Sequence, residues 1–172
     1  MNGLPDTWER FRLSTEGAQW RLSDFGEPVL RATKLVEGPE IKRLQSAYKQ
    51  VPGIYFWLMN VGSSEYKIYI GKTESLSYRV ANYIADFQPH SPNDFKLRVF
   101  ELFVGELMPS ASMSLFFARK GISEITDAEN KALKKYRPLL NQRAEPTREA
   151  KAQLRDAFTA FYQSSFEAKL KA

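Results

Sequence analysis

Two strand-like segments separated by a turn-rich stretch constrain the fold of this chain more than any other feature. Pro52 and Gly53 open an apolar run at 54–59, and a second run at 66–70 alternates and is rich in β-branched and aromatic residues. Residues typical of turns fill positions 60–64 between them. This arrangement predicts an antiparallel β-hairpin with a loop longer than two residues.

The residues that follow the hairpin predict a helix and a further strand. Gly71 ends the second strand, and either Ser75 or Ser77 is suited to cap a helix that runs to about Phe87. Residues 97–104 are typical of a third strand.

The later part of the chain predicts one more helix in the same domain. Residues 108–112 are expected to form a loop, and the apolar segment 113–118 is compatible with either type of element. A helix is expected from Thr126 to Tyr136, because Pro138 disfavours helix at the residue before it. Together these elements predict an α/β domain with a small three-stranded antiparallel or mixed sheet flanked by helices.

Two flanking regions are expected around this domain, which we predict to span 51–145. Residues 1–50 are predicted to form an N-terminal extension that packs on the core and contains a short helix at 40–50. Residues 146–172 are predicted to form a C-terminal amphipathic helix. The expected buried anchors of the extension are Trp8, Phe11, Trp20 and Phe25.

Composition limits the functional classes but does not select one. The chain has 25 basic and 20 acidic residues, and residues 119–148 hold eight of the former and four of the latter, which is compatible with a polyanionic partner. The absence of cysteine excludes disulfides and thiolate metal sites and fits a cytoplasmic location. No apolar run approaches the roughly 18 residues that span a bilayer, so no membrane partner is expected.

A set of polar side chains suited to phosphate chemistry lies along the predicted domain. Tyr55 opens the first strand and Tyr69 closes the second, while Arg79 and Tyr83 are four apart and share a helix face. Glu129 lies in the next helix. Phosphodiester hydrolysis requires a carboxylate to bind a metal, a cation to hold a phosphate oxygen and a proton acceptor to activate water.

The same residues resemble the motifs of the GIY-YIG nuclease family over Pro52–Gln142. Gly53-Ile54-Tyr55 and Tyr69-Ile70-Gly71 are similar to the two triplets that name the family. Lys72 resembles the lysine that commonly follows the second triplet. Arg79 and Tyr83 resemble its helical arginine and the tyrosine or histidine four residues later. Glu129 resembles its metal-binding glutamate, and Pro138-Leu139-Leu140-Asn141 resembles its closing proline-to-asparagine element.

The resemblance implies an endonuclease that hydrolyses DNA, with double-stranded DNA as the expected substrate and Mg²⁺ or Mn²⁺ bound by Glu129. The catalytic residues that it implies are Tyr55, Tyr69, Lys72, Arg79, Tyr83, Glu129 and Asn141. The nucleic-acid-binding residues that we expect are Lys72, Arg79, Lys131, Lys134, Lys135, Arg137 and Arg143. Tyr55 is favoured over Tyr69 as the general base, and the ammonium of Lys72 is expected to lower the pKa of the neighbouring phenol.

Several of these positions have other interpretations. Thr126 and Glu129 also fit a capping box, in which case Glu124 or Asp127 would be the metal ligand. Asn141 is also typical of a turn. His90, the single histidine, lies between two prolines and is expected at the surface. The main alternative function is a nucleic-acid-binding module of the same fold without turnover, and the sequence leaves a monomer and a homodimer equally open.

Overall fold

The computed structural model describes residues 6–13, 24–32, 36–84 and 110–142. All of them belong to one compact unit, Met1–Gln142. The strand predicted at 97–104, the anchor Trp20 and the predicted C-terminal helix at 146–172 lie outside the described residues. The domain boundaries at 50 and 145 therefore stay a prediction.

The described residues contain four strands where the sequence predicted three. They are β1 (Pro28–Ala32), β2 (Gly53–Val61), β3 (Ser64–Thr73) and β4 (Ala111–Arg119). These strands form one antiparallel sheet in the order β1-β4-β2-β3. The expected number of three strands is thus wrong, because β1, which belongs to the N-terminal segment, joins the sheet by pairing with β4.

β4 also corrects the prediction for residues 108–112. Ala111 and Ser112 already belong to the strand and pair with Val61 and Asn60 of β2. The Asn60 side chain donates to the hydroxyl oxygens of Ser112 (3.3 Å) and Ser114 (2.8 Å). Small polar residues that are typical of loops are accommodated in this strand because a cross-strand amide satisfies them.

The hairpin between β2 and β3 has a shorter loop than predicted. Val61 pairs with Ser64, so only Gly62 and Ser63 lie between the strands. Gly62 has a φ of +57°, and Ser63 is not among the residues with positive φ. This is the pattern of a type II′ turn, which needs glycine at its first central position and matches the twist of the two strands.

Three helices of the described residues lie on the two faces of the sheet. They are α1 (Pro39–Ala47), α2 (Leu76–Ile84) and α3 (Ile125–Tyr136), with short 3₁₀ segments at Asp6–Phe11 and Leu139–Asn141. Ser75 is the residue that caps α2, because the Tyr78 N–H donates to its hydroxyl oxygen at 3.4 Å. In the described part of the chain no helix is long and apolar enough to cross a membrane.

The two faces of the sheet pack against different helices. Tyr55, Trp57 and Met59 of β2 pack with residues of α1 and α2, whereas the alternating Ile54, Phe56 and Leu58 pack with α3. β2 is therefore buried on both faces, which explains why its sequence is a continuous apolar run. β3 lies at the edge of the described sheet and also contacts α3.

α3 is fastened to the sheet by a short piece of the N-terminal segment. The Phe25 ring lies 5.6 Å from Phe56 and 6.2 Å from Tyr136, measured between centroids. The carboxylate of Asp24 accepts hydrogen bonds from Lys135 at 2.5 Å and from the Tyr136 hydroxyl. Partial burial opposes the charge of Asp24, but these hydrogen bonds outweigh it and lower its pKa below 3.8.

We expect Asp24→Asn to lower the free energy of unfolding by about 1 kcal/mol at pH 7, as for a partly exposed charge-assisted hydrogen bond. Because the folded-state pKa of Asp24 is depressed, its contribution is present above pH 3.8 and is lost as the pH falls through the folded-state value. Urea unfolding at pH 7 and near pH 3 measures this. Glu27→Gln, at an exposed carboxylate, is the control. An equal effect of both variants at pH 7 would contradict the assignment.

Candidate active site at the edge strand

A β-bulge in β3 turns Tyr69 toward Tyr55. Trp57 pairs with Tyr69, but the next residue of β2, Leu58, pairs with Lys67, so Ile68 is the extra residue. Without the bulge Tyr69 would occupy the opposite face from Tyr66. The bulge places Tyr69 on the α2 face, which is a common use of bulges beside functional sites.

Gly71 leaves room for the ring of Tyr55, which pairs with it across the two strands. A Cβ at Gly71 would lie 2.4 Å from the Tyr55 hydroxyl oxygen and 2.5 Å from the ring carbon that bears it. A Cβ at Gly53 would lie 2.2 Å from the carbonyl oxygen of Ala118. Both glycines of the two triplets are thus required by close approach, one by a tyrosine ring and the other by the backbone of β4.

Three phenols form a hydrogen-bonded chain on this face. Tyr83 of α2 donates to the hydroxyl oxygen of Tyr55 at 2.9 Å, and Tyr55 is in turn hydrogen-bonded to Tyr69. All three side chains are buried. The ring centroids of Tyr55 lie 6.4 Å from Tyr83 and 6.0 Å from Tyr69. This series of three phenols runs from the protein core to the edge of the sheet.

The environment of Tyr69 raises its pKa well above the usual value of 10.0. Burial is the largest cause, and the neighbouring Tyr55 and the carboxylate of Glu129 add to it. Arg79 opposes them and favours the phenolate. The expectation that Lys72 lowers the pKa of this phenol is wrong, because the Lys72 ammonium pairs with Glu129 instead.

Glu129 faces β3 from the middle of α3. Its Oε2 lies 3.4 Å from the Lys72 ammonium, and the Lys72 Nζ also donates to the Thr126 hydroxyl at 3.0 Å. The Glu129 side chain is four-fifths buried, with 19% of its surface exposed. A partly exposed lysine, itself held by a threonine, therefore contacts the carboxylate that the sequence assigned to metal binding.

The capping-box interpretation of Thr126 and Glu129 is not realised. α3 begins at Ile125 and its N-cap is Glu124, so Glu129 lies beyond the first turn. Glu124 accepts a hydrogen bond from the Gly121 N–H at 3.1 Å, whereas Asp127 is exposed. Sequence reasoning missed the contact between Thr126 and Lys72, because a threonine before an acidic residue is so often a cap.

The Asn141 side chain binds the backbone of β3. Its Oδ1 accepts from the Ile70 N–H at 2.8 Å and its Nδ2 donates to the Ile70 carbonyl at 2.9 Å. One amide thus replaces the neighbouring strand that this edge of β3 lacks within the described sheet. Since Ile70 lies between Tyr69 and Gly71, the contact holds the second triplet in place.

The basic residues predicted along α3 do not form one group. Lys131 and Lys134 are exposed, whereas Lys135 binds the N-terminal carboxylate described above. Arg137 has a left-handed φ of 46° at the end of α3. Arg143 lies outside the described residues. A role for these residues in nucleic-acid binding stays a prediction.

The donor set around Glu129 fits one kind of metal site. Among the residues that the structure describes, no three acidic, histidine or cysteine side chains are grouped so that they could enclose an ion. Mg²⁺ commonly keeps several of its waters and uses only one or two carboxylates. A single, largely buried carboxylate therefore suits a hydrated Mg²⁺ or Mn²⁺ and does not suit a closed protein cage.

Among the known proteins compared with this chain, similarity is found to solved structures. No protein-family model matches the chain, and no curated protein matches it significantly. Among solved structures, the chain is similar to the GIY-YIG N-terminal endonuclease domain of UvrC from Thermotoga maritima. A point mutant of that domain bound to the catalytic divalent cation is 26% identical, with a TM-score of 0.38, covering 62% of this chain and 100% of the other.

The same UvrC domain bound to its catalytic cation, magnesium, is 24% identical over the same shares of both chains, with a TM-score of 0.37. At TM-scores below 0.5 these superpositions transfer no residue role to this chain.

Gly71→Ala should destabilise the protein by about 1–3 kcal/mol, because the new methyl group overlaps the Tyr55 phenol and forces it to move. Chemical unfolding followed by near-ultraviolet circular dichroism measures both the stability and the tyrosine environment. Gly38→Ala is the matched control, because a Cβ there meets nothing closer than a carbonyl oxygen at 4.0 Å. Wild-type stability and spectrum in the Gly71 variant would show that the ring does not depend on this glycine.

Proposed function

We propose that this chain is a divalent-metal-dependent endonuclease that hydrolyses phosphodiester bonds in DNA. One observation carries the proposal: a phenol of the edge strand lies within electrostatic reach of both a carboxylate and a guanidinium. The pKa of Tyr69 responds to Glu129 and to Arg79. Phosphodiester hydrolysis uses these three kinds of group together.

Glu129 is the proposed metal ligand. Bound Mg²⁺ or Mn²⁺ would neutralise phosphate charge and act as a Lewis acid in the reaction. Lys72 orients the carboxylate by its contact at 3.4 Å, and the Thr126 hydroxyl in turn holds Lys72 by accepting its hydrogen bond at 3.0 Å. Lys72 also leaves a positive charge beside the site, suited to a non-bridging phosphate oxygen.

Arg79 is the proposed phosphate clamp. It lies on α2 one turn before Tyr83, which donates to Tyr55, and it favours the charged form of Tyr69. A guanidinium can hold two oxygens of one phosphate, so its contribution should increase as charge develops in the transition state.

Tyr69 is the proposed proton acceptor, in place of Tyr55, which the sequence alone favoured. Tyr69 is the phenol influenced by both Glu129 and Arg79. Tyr55 lies one hydrogen bond deeper, between Tyr69 and Tyr83. We assign Tyr55 and Tyr83 to positioning and proton sharing along the chain of phenols. We assign Asn141 to positioning as well, since both of its amide atoms bind Ile70.

The second candidate function is a DNA-binding module without turnover. The ion pair between Lys72 and Glu129 favours it, because an ammonium already neutralises the proposed metal ligand. The retention of Glu129, Arg79 and the phenol chain favours the enzyme. An assay of whether the protein nicks and relaxes supercoiled plasmid in the presence of Mg²⁺ or Mn²⁺, with and without chelator, separates the two candidates.

Glu129→Gln should abolish plasmid cleavage and keep the protein folded, because it removes the negative charge and preserves the shape. It should also weaken Mn²⁺ binding in calorimetry by tenfold or more, on the order expected for loss of a principal ligand. Asp127→Asn is the matched control in the same helix, and its carboxylate is exposed. Cleavage by the Glu129 variant at the wild-type rate would rule out this metal ligand.

Tyr69→Phe should lower the single-turnover rate by about a hundredfold or more. Because the pKa of Tyr69 is raised above 10.0, the phenolate fraction should rise about tenfold per pH unit through pH 7–9, with no plateau in the wild-type rate. The variant should lose this rise. Tyr55→Phe should cost less and keep it.

Tyr66→Phe is the control for these measurements, since Tyr66 is a buried tyrosine of the same strand outside the proposed machinery. An unchanged pH slope in Tyr69→Phe, together with a lost slope in Tyr55→Phe, would return the role of base to Tyr55. Unchanged slopes in both would exclude tyrosine as the proton acceptor.

A further inference from the structure

Arg119 stands at the end of β4, on the same face of the sheet as the phenol chain. It pairs with Gly53, and the preceding residue on that face, Phe117, pairs with Tyr55. Residues two apart in a strand are separated by about 7 Å. Arg119 therefore lies one step along the sheet from the row that contains Tyr55 and Gly71.

The Arg119 guanidinium rests on an aromatic platform. Its Cζ lies 5.3 Å from the centroid of the Tyr48 ring, and Tyr48 itself meets the buried Phe117 edge-on, with centroids 5.3 Å apart at 83°. Stacking on a ring restrains the guanidinium and leaves its N–H donors available in the plane. Arg119 is nonetheless exposed, so these donors face solvent.

The platform is connected to the helix that carries Arg79. The carbonyl oxygen of Tyr48 accepts a hydrogen bond from the Ser77 N–H at 3.3 Å, two residues before Arg79. The residue on which Arg119 rests is thus hydrogen-bonded to the first turn of α2, the helix that carries Arg79.

Within the described structure Arg119 forms no ion pair. The ion pairs among described residues join other cations to carboxylates, at Arg12, Lys42, Lys72 and Lys135. The next cation, Lys120, makes a small contribution to the lowered pKa of Asp24. Arg119 is therefore the preoriented cation available to an external anion at this end of the sheet.

We infer that Arg119, held on Tyr48, binds a backbone phosphate of the DNA flanking the one that is cut. The inference rests on the proposed function and extends its substrate contacts to a position that the sequence motifs do not include. Arginine suits this ligand because its fork of donors matches two phosphate oxygens. Such a contact positions the DNA strand and carries no sequence information.

The experiment measures binding of a fluorescein-labelled 30-base-pair DNA duplex by anisotropy in EDTA, at several salt concentrations. Arg119→Ala should weaken binding about five- to tenfold near 100 mM salt and reduce the slope of log K against log salt by about one, as expected for one lost phosphate contact. Arg119→Lys should recover the slope but only part of the affinity, because it keeps the charge and loses the fork.

Arg31→Ala is the matched control, since it removes the same side chain from an exposed position on β1, the opposite edge of the described sheet. Equal losses in Arg31→Ala and Arg119→Ala would overturn the inference, because they would reflect net charge alone. A wild-type slope in Arg119→Ala would also overturn it and leave the proposed function intact. Absence of duplex binding by the wild-type protein would instead refute both.

Discussion

The close contact between the ring of Tyr55 and the backbone at Gly71 is the constraint on which the rest of the site depends. The ring can cross the neighbouring strand only because no Cβ stands there. In that position its hydroxyl meets Tyr83 from α2 and Tyr69 from β3. This contact between β2 and β3 thereby also determines where α2 and β3 lie relative to each other, and hence where their polar groups meet.

α3 brings a carboxylate, that of Glu129, to the three phenols from the other side of the sheet. Glu129, Ala132 and Tyr136 follow one another at three- and four-residue spacing, so they share one helix face. At one end of that face Tyr136 packs with Phe56 and Phe25, and at the other Glu129 meets Lys72. The apolar contacts stabilise the helix against the sheet, and the same contacts carry the carboxylate to the edge strand.

The sequence predicted the elements whose signals are local. Alternation and turn residues located the hairpin, and the proline at 138 located the end of α3. The bulge at Ile68 could not be predicted in this way, because nothing in the residue types distinguishes an extra residue from the regular alternation. The fourth strand also escaped prediction, since β1 acquires its partner from residues more than 80 positions away.

For the site, the spacing of motif residues predicted which side chains to consider but not their partners. Lys72 follows Tyr69 closely in sequence, yet the alternation of β3 directs it to the opposite face, where it pairs with Glu129. Thr126 has the residue type of a helix cap, but α3 begins one residue earlier. In both cases a contact between distant segments overrides the local pattern, and only the three-dimensional register reveals it.

The side-chain amide of Asn141 also affects the tendency of this protein to associate with other copies of itself. An edge strand with unsatisfied N–H and C=O groups is a template for pairing with another chain. On β3, Asn141 occupies both backbone groups of Ile70, and near the other end Arg12 bridges to Tyr66 while the Leu13 N–H binds the Glu65 carbonyl. The outer edge of this strand is thus closed at two points, by a side-chain amide and by a short backbone bridge, so the segment that presents Tyr69 is also protected against intermolecular strand addition.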